Sequence, residues 1–409
     1  MQLESFYGQI LGVKSPWKVV SVTLDTELQL VDVFVDFMGV PHCPCCDERA
    51  TIHDYAKERV WRHLDSCQMK TYLHCRLPRT KCSKCKVKTL IPSWSKPKSR
   101  FTLMFEAFII EVLLATKCDT ETAKILRMTA KEVLTVKDRA VHRGLDRREL
   151  NGPKALAIDE KSFGKGHNYL TILVDHENSK VIEVCKDRTE VAIRPLLETY
   201  CESERENVEA ITMDMWRPFW SVSEELYTNA KLIHDRYHVA SHMSTALEQT
   251  RRAEQKTLET DQGKALKGMR FTLLRSEDNR SKKDFIRLAE LEKRNLKTTT
   301  VFLMKEVLRE IFEAKSTVEE AKTEIEAWVL LAKEQKISNL TRVANMIQSH
   351  IGGICNYFDK RLTNSVAETV NSFIQELKSR ARGFKNWARY RINILFHLGK
   401  LDMDPLKRS

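Results

Sequence analysis

Three short apolar runs in this chain each deliver a carboxylate to their C-terminal end: Lys154-Ala-Leu-Ala-Ile-Asp159, Val208-Glu-Ala-Ile-Thr-Met-Asp214 and Ala230-Lys-Leu-Ile-His-Asp235. Runs of this length and composition read as buried strands. An acid at the end of such a strand is costly beside a core unless a cation offsets its lost hydration. Two divalent metals held by Asp and Glu oxygens would do so, and would also support phosphodiester chemistry. A further acid, Glu368, lies in the helical pattern Thr363-Asn-Ser-Val-Ala-Glu-Thr-Val-Asn371, with Asn364 and Asn371 on its face at i−4 and i+3. Docking that helix on the sheet would set Glu368 opposite Asp159 and Asp214.

At 409 residues the chain exceeds one ordinary core and divides into several domains. Its 42% apolar and 30% charged content describes a folded, water-facing protein. The longest apolar stretch, Phe101 to Ala115, is broken by Glu106 and Glu111, so no membrane span is expected. The N-terminus lacks a basic region followed by an apolar one, so no secretion signal is expected and the protein reads as intracellular. The net charge of +12 is concentrated. Arg76 to Arg100 carries nine Lys/Arg and no Asp/Glu, and Lys378 to Ser409 carries nine Lys/Arg against Asp402 and Asp404. Two such patches suit a polyanion, with Lys378, Arg380, Arg382 and Lys385 as candidate DNA contacts.

Residues 1–42 alternate apolar and polar positions and read as short antiparallel strands. Pro92, Trp94 and Pro97 mark a linker. From Phe101 the pattern turns helical, with Phe105, Phe108, Ile109, Val112 and Leu113 as a stripe. A short helix over 120–128, a turn at 129–131 and a second helix ending at Gly144 form a helix-turn-helix candidate. Its second helix would present Lys131, Thr135, Lys137 and Arg139 to a major groove. Strands at 154–159, 168–175, 180–185, 208–214 and 230–235, with helices over 190–204 and 217–227, make a mixed sheet covered by helices. Beyond it the chain reads as mostly helix, with breaks at 298–300 and at Gly352-Gly353. Trp216 is expected in the core.

Eleven cysteines is an odd number for a disulfide framework, and seven fall between Cys43 and Cys85. Cys43-x2-Cys46 and Cys82-x2-Cys85 are paired knuckles, which place four thiolates for one tetrahedral, structural Zn²⁺. His42 or Cys45 could replace one ligand.

The order Ala-Ile-Asp159-Glu, Thr-Met-Asp214-Met, Asp235-Arg-Tyr-His238 and Asn364-x3-Glu368-x2-Asn371, followed by Lys378-Ser-Arg-Ala-Arg-Gly-Phe-Lys-Asn-Trp387, resembles the DDE transposases of bacterial insertion sequences. More narrowly it is similar to the ISL group, which joins a zinc ribbon, a helix-turn-helix and an RNase H-like catalytic domain interrupted by helices. The resemblance implies an α+β multidomain fold. Its parts would be N-terminal strands and zinc ribbon over 1–95, helix-turn-helix over 100–150, and the first part of the catalytic core over 153–240. An all-α insertion over 241–345 and completion of the core by 346–409 would follow. It implies a triad of Asp159, Asp214 and Glu368 holding two Mg²⁺ (or Mn²⁺), with Asp235 and His238 steering scissile DNA and metal. Tyr237 stands where related chains often carry Phe, and Thr369 where Gly is common. The implied activity is binding of terminal inverted repeats, strand cleavage and 3′-hydroxyl strand transfer, by a homodimer or larger assembly in the bacterial cytoplasm at the nucleoid. A DNA-binding regulator derived from such an enzyme, or an RNase H-like nuclease without strand transfer, would share part of this pattern.

Overall fold

The computed structural model describes residues 2–162, 169–258, 266–294, 296–384 and 386–407. Two compact units emerge: residues 1–148 with 377–384 and 401–409, and residues 149–376 with 385–400.

The first unit opens with helix α1 (Leu3–Ile10) rather than a strand. Leu3, Phe6, Tyr7 and Ile10 fall at i, i+3, i+4 and i+7, a helical spacing that the alternation farther on obscures. Strands β1 (Trp17–Asp25), β2 (Leu30–Phe37), β4 (Arg59–Arg62) and β5 (Lys70–Cys75) form a sheet in the order β1-β2-β5-β4. β1 and β2 pair antiparallel as the alternation requires, while β5 inserts parallel to β2. Val31, Val33 and Val35 all point into the core, where they meet Trp61 and Leu73. Trp94 is part of that core, its ring 5.1 Å from Trp17 and 5.7 Å from Trp61, so the proline-flanked segment around it is anchored and is no mere linker.

A second, three-stranded sheet joins β3 (Thr51–Tyr55), β6 (Pro78–Cys82) and β7 (Lys86–Thr89) in the order β3-β6-β7. Helices α2 (Leu103–Thr116), α3 (Asp119–Ile125) and α4 (Ala130–Asp146) follow. The buried face of α2 is Phe105, Glu106, Ile109, Ile110 and Leu113, and Phe108 is exposed. Thr129 caps α4 through a reciprocal pair with Glu132, which explains the sharp turn before it. Gly144 does not end α4 but lies within it; a Cβ there would come 2.6 Å from Leu401 Cβ, so close packing requires the glycine. Arg143 and Arg147 donate to the carbonyls of Met403 and Asp404 at 2.6 and 2.7 Å.

The second unit is built on β8 (Ala155–Ser162), β9 (Tyr169–Asp175), β10 (Lys180–Lys186), β11 (Ala210–Met213) and β12 (Lys231–His234) in the order β10-β9-β8-β11-β12. β8, β11 and β12 are mutually parallel, and β9 runs antiparallel to both neighbours. Helices α5 (Glu190–Leu197), α6 (Glu202–Arg205) and α7 (Arg217–Leu226) accompany this sheet, and the core holding Ile158, Leu173, Ile211 and Phe219 includes α5 and α7 side chains. The expected helix over 190–204 is thus two helices. A second core joins Ala155, Ala210 and Ile233 to helix α8 (Arg236–Thr257) and the helices Lys297–Glu313, Val318–Glu334 and Ser338–Ser349. Residues 298–300 sit in the first turns of the Lys297–Glu313 helix, and the break falls before them. Gly353 lies in a short helix, Ile351–Cys355, where a Cβ would come 2.4 Å from His234 and 2.6 Å from Trp220.

Candidate active site and metal centres

Parallel pairing sets the acids abreast. Ala157 is opposite Thr212 in the β8–β11 ladder, so two residues on in each strand direction come Asp159 and Asp214. Met213 is likewise opposite His234 in β11–β12, so the next residues are Asp214 and Asp235. Asp214 and Asp235 directly follow the ends of β11 and β12 and Asp159 stands beside them on β8, at the end of the sheet where ligand sites form in open α/β folds. Asp159 differs from expectation in one respect: β8 continues through it to Ser162, so it is an interior strand residue.

Asp235 is the N-cap position of α8, which places His238 in the first turn of that helix. His238 Nε2 reaches 2.7 Å from Asp214 Oδ1. Single ligand atoms of Asp159, Asp214 and His238 lie within 4.8 Å of one another. The remaining acid comes from the helix Ser365–Arg380, whose first turn carries Glu368. That helix is pinned by Asn364, which is fully buried. Its Nδ2 donates to the Ile158 carbonyl at 3.2 Å, its Oδ1 accepts from Thr212 Oγ1 at 3.0 Å, and its backbone N–H donates to Asp235 Oδ1 at 3.4 Å. One helical turn beyond Glu368, Asn371 Nδ2 donates to Asp159 Oδ2 at 2.7 Å. The other Asp159 oxygen accepts the Glu160 N–H at 2.8 Å. Glu368 is half-buried and outside the 4.8 Å group, although Asp235, His238 and Asp214 all act on its charge.

The electrostatics are those of crowded acids. Burial, then the Asp214 charge, pushes Asp159 up to about 7. Burial also raises Asp235, Glu160 and Glu368. The hydrogen bond to Asp214 draws His238 up to about 9, so the imidazolium supplies a positive charge among the carboxylates. Hard oxygen donors in this number, short of compensating charge, suit a divalent cation. Asp235 Oδ2 and Asn371 Oδ1 are buried with no hydrogen-bond partner among the described residues, which leaves acceptor capacity at this edge.

Asn371 and Asn364 carry structure here that their spacing beside Glu368 hinted at. Trp216, expected in the core, is instead 37% exposed. Its Nε1 donates to the Arg188 carbonyl at 3.0 Å, and the Arg188 guanidinium, paired with Glu160 at 2.6 Å, lies 4.0 Å over its ring.

In the first unit Cys43, Cys46, Cys82 and Cys85 bring their Sγ atoms within 4.8 Å of one another. The second knuckle is the turn between β6 and β7. Backbone N–H groups of Cys45 and Cys46 lower the Cys43 thiol to about 6, while the neighbouring sulfurs raise Cys46 and Cys85, so one thiolate is favoured and crowding opposes the rest until a cation offsets it. His42 bonds the Asp47 carbonyl through Nδ1 at 2.8 Å, and Cys45 stays outside the cluster. Four thiolates at one point support a structural zinc.

The expected DNA contacts on α4 divide in two. Lys131 and Thr135 are exposed. Lys137 is buried and paired with Asp119, and Arg139 bonds at 2.7 Å the buried Glu106, whose other oxygen pairs with Arg143. The outward stripe of α4 is Lys131, Thr135, Asp138 and His142. Arg380 and Arg382 are exposed and Lys378 half-buried, all within 377–384 of the first unit; Lys385 lies outside the described residues. Among the described residues no helix is long and apolar enough to cross a membrane.

Residues 156–394 match the transposase family model of the ISL3 group, and residues 39–85 match the zinc-finger of transposases IS204, IS1001, IS1096 and IS1165. The chain is 22% identical over 372 residues to the transposase for insertion sequence element IS1557 of Mycobacterium tuberculosis, covering 84% of this chain and 82% of that one. It is also 22% identical over 351 residues to the transposase for IS1001 of Bordetella parapertussis, covering 84% and 85%. A four-cysteine ribbon, acids abreast at one sheet edge and a match over most of the chain agree: the protein belongs to the ISL3 family of insertion-sequence transposases.

Proposed function

We propose that this transposase cleaves and rejoins DNA at the edge of its five-stranded sheet, with Asp159, Asp214 and Glu368 as the acidic triad holding Mg²⁺ or Mn²⁺. The observation that carries this reading is the register that aligns Asp159 with Asp214, together with Asn371 reaching Asp159 from the helix that bears Glu368. Bound there, two divalent cations would supply Lewis-acid activation of the attacking oxygen and charge neutralisation at the scissile phosphate. The chain's own residues do the rest. Asn371 and the Glu160 N–H hold Asp159 in one orientation, and His238 does the same for Asp214. Asp235 starts α8 and so sets where His238 stands.

In the first step a water oxygen bonds to phosphorus and the 3′ oxygen of the element end departs as a hydroxyl. In the second that hydroxyl bonds to a target phosphorus and displaces a target-strand oxygen, so no covalent enzyme intermediate is required. The strand order β10-β9-β8-β11-β12 with only β9 reversed supports an RNase H-like core, and the helices between β12 and Ser365 support an all-α insertion. Helices α3 and α4 support a helix-turn-helix that, with the ribbon, binds terminal inverted repeats, and assembly on two ends would make a homodimer or larger complex. Asp159→Asn should abolish Mn²⁺-dependent cleavage of an element-end duplex while leaving binding of that duplex intact. Unimpaired cleavage would refute the assignment.

A further inference from the structure

The cations expected to line α4 are partly spent on packing, but a groove beside the start of that helix, wholly within the first unit, is lined by cations. It has a volume of about 780 Å³ and is bordered by Arg59, Arg62, Tyr72, Lys98, Arg100 and Arg127. Two of these cations share Asp65: Arg62 and Arg127 both bond its carboxylate. Arg59 donates to the Ser99 carbonyl at 3.1 Å and lies over Trp61. Lys98 and Arg100 are exposed, and among the described residues no carboxylate pairs with either. The acid on the rim, Glu132, is engaged by the Thr129 N–H and hydroxyl, both at 2.8 Å. Arg62 is 8% exposed, and its Nη1 has no hydrogen-bond partner among the described residues.

Five cations against one engaged glutamate and one shared aspartate leave the groove electropositive. Isolated like charges repel one another at a cost, so their collection in one open cleft calls for an anion. Lys131 and Thr135, the exposed positions of α4, follow the groove's Thr129 by two and six residues. A strand whose phosphates lie in the groove would therefore continue along the face of α4 that can meet bases.

We infer that this groove seats the sugar-phosphate backbone of duplex DNA and contacts it without reading sequence, through Lys98, Arg100 and Arg127 at the rim and Arg59 and Arg62 deeper in. The inference rests on the reading that the first unit binds element ends, and it adds the place where the backbone is gripped. Backbone contacts fix register and orientation, and base contacts supply the specificity.

The test is Lys98→Gln/Arg100→Gln in the full chain, with fluorescence anisotropy on an element-end duplex and on an unrelated duplex of equal length across a salt series. Each phosphate neutralised by a cation steepens the fall of log K with log salt by about 0.9. The double variant should bind both duplexes about tenfold or more weakly at moderate salt, with slopes shallower by about two. Zinc content and thermal midpoint should be unchanged, and Lys98→Arg/Arg100→Lys should retain affinity. Wild-type affinity and slope in the Gln variant would overturn the groove while leaving the transposase reading, tested by Asp159→Asn, in place. A loss confined to the element-end duplex would also overturn it, because backbone contacts do not distinguish sequences. Failure of the wild-type chain to bind either duplex would instead sink the reading beneath it.

Discussion

Asn371 Nδ2 donates to Asp159 Oδ2 at 2.7 Å, joining a helix and a strand through residues 212 positions apart in the chain. The contact fixes one carboxylate of the site and ties it to the helix that presents Glu368. A hydrogen bond to a charged group contributes about 1.5–3 kcal/mol. Asn371→Leu should therefore lower the cleavage rate about 10- to 100-fold and shift the Mn²⁺ dependence to higher concentration, with duplex affinity unchanged. Single-turnover cleavage across a metal series reads this out; a wild-type metal dependence would show that Asn371 does not position Asp159.

The metal-free site should cost stability above neutral pH. Asp159 titrates at about 7 in the folded chain, against about 4 for an ordinary aspartate. Between those values the folded state holds a proton that the unfolded state has lost, so stability falls as pH rises through the window and levels off above it. Asp159→Asn removes the effect. In chelator, the variant should melt higher than wild type at pH about 8, with the difference shrinking toward pH about 4. Mn²⁺ should raise the wild-type midpoint and leave the variant's nearly unmoved. A difference independent of pH would contradict the raised carboxyl.

Arg139 and Lys137 should behave as packing residues. Glu106 is buried between Arg139 and Arg143, and breaking a buried ion pair costs about 3–5 kcal/mol. Because Arg143 stays on Glu106, Arg139→Met should lower stability to urea by less than that, about 1–2 kcal/mol, and leave the salt slope of DNA binding unchanged. Lys131→Gln should do the reverse, with stability intact and affinity reduced. Equal losses of affinity without loss of stability in both variants would place Arg139 at the DNA.

Gly353 should tolerate no side chain. Its added Cβ would meet His234 of β12 and Trp220 of α7 at 2.4 and 2.6 Å. Overpacking of this kind costs about 1–3 kcal/mol. Gly353→Ala should lower the urea midpoint by a corresponding amount, and an unchanged midpoint would mean that the short helix moves away freely.

By itself the sequence determined the parts whose signal is local. Two CxxC pairs specify a four-thiolate cluster because each knuckle is a single tight turn, and the ligand atoms do meet. Apolar runs ending in Asp159, Asp214 and Asp235 specified strands at the bottom of a site, since β-pattern and acid are both written within six or seven residues. What no local signal contains is register. Whether Asp159 stands beside Asp214 depends on which residues of β8 and β11 pair, a choice made by cores on both faces of the sheet. The same holds for α4, where 3.6-residue periodicity shows which residues share a face but not which face is covered. Glu106 on α2 and Asp119 on α3 decided that Arg139 and Lys137 turn inward. Asn371 gained its partner, 212 positions away in the chain, only through the tertiary fold, because a hydrogen bond between distant segments exists only where packing brings its two atoms together.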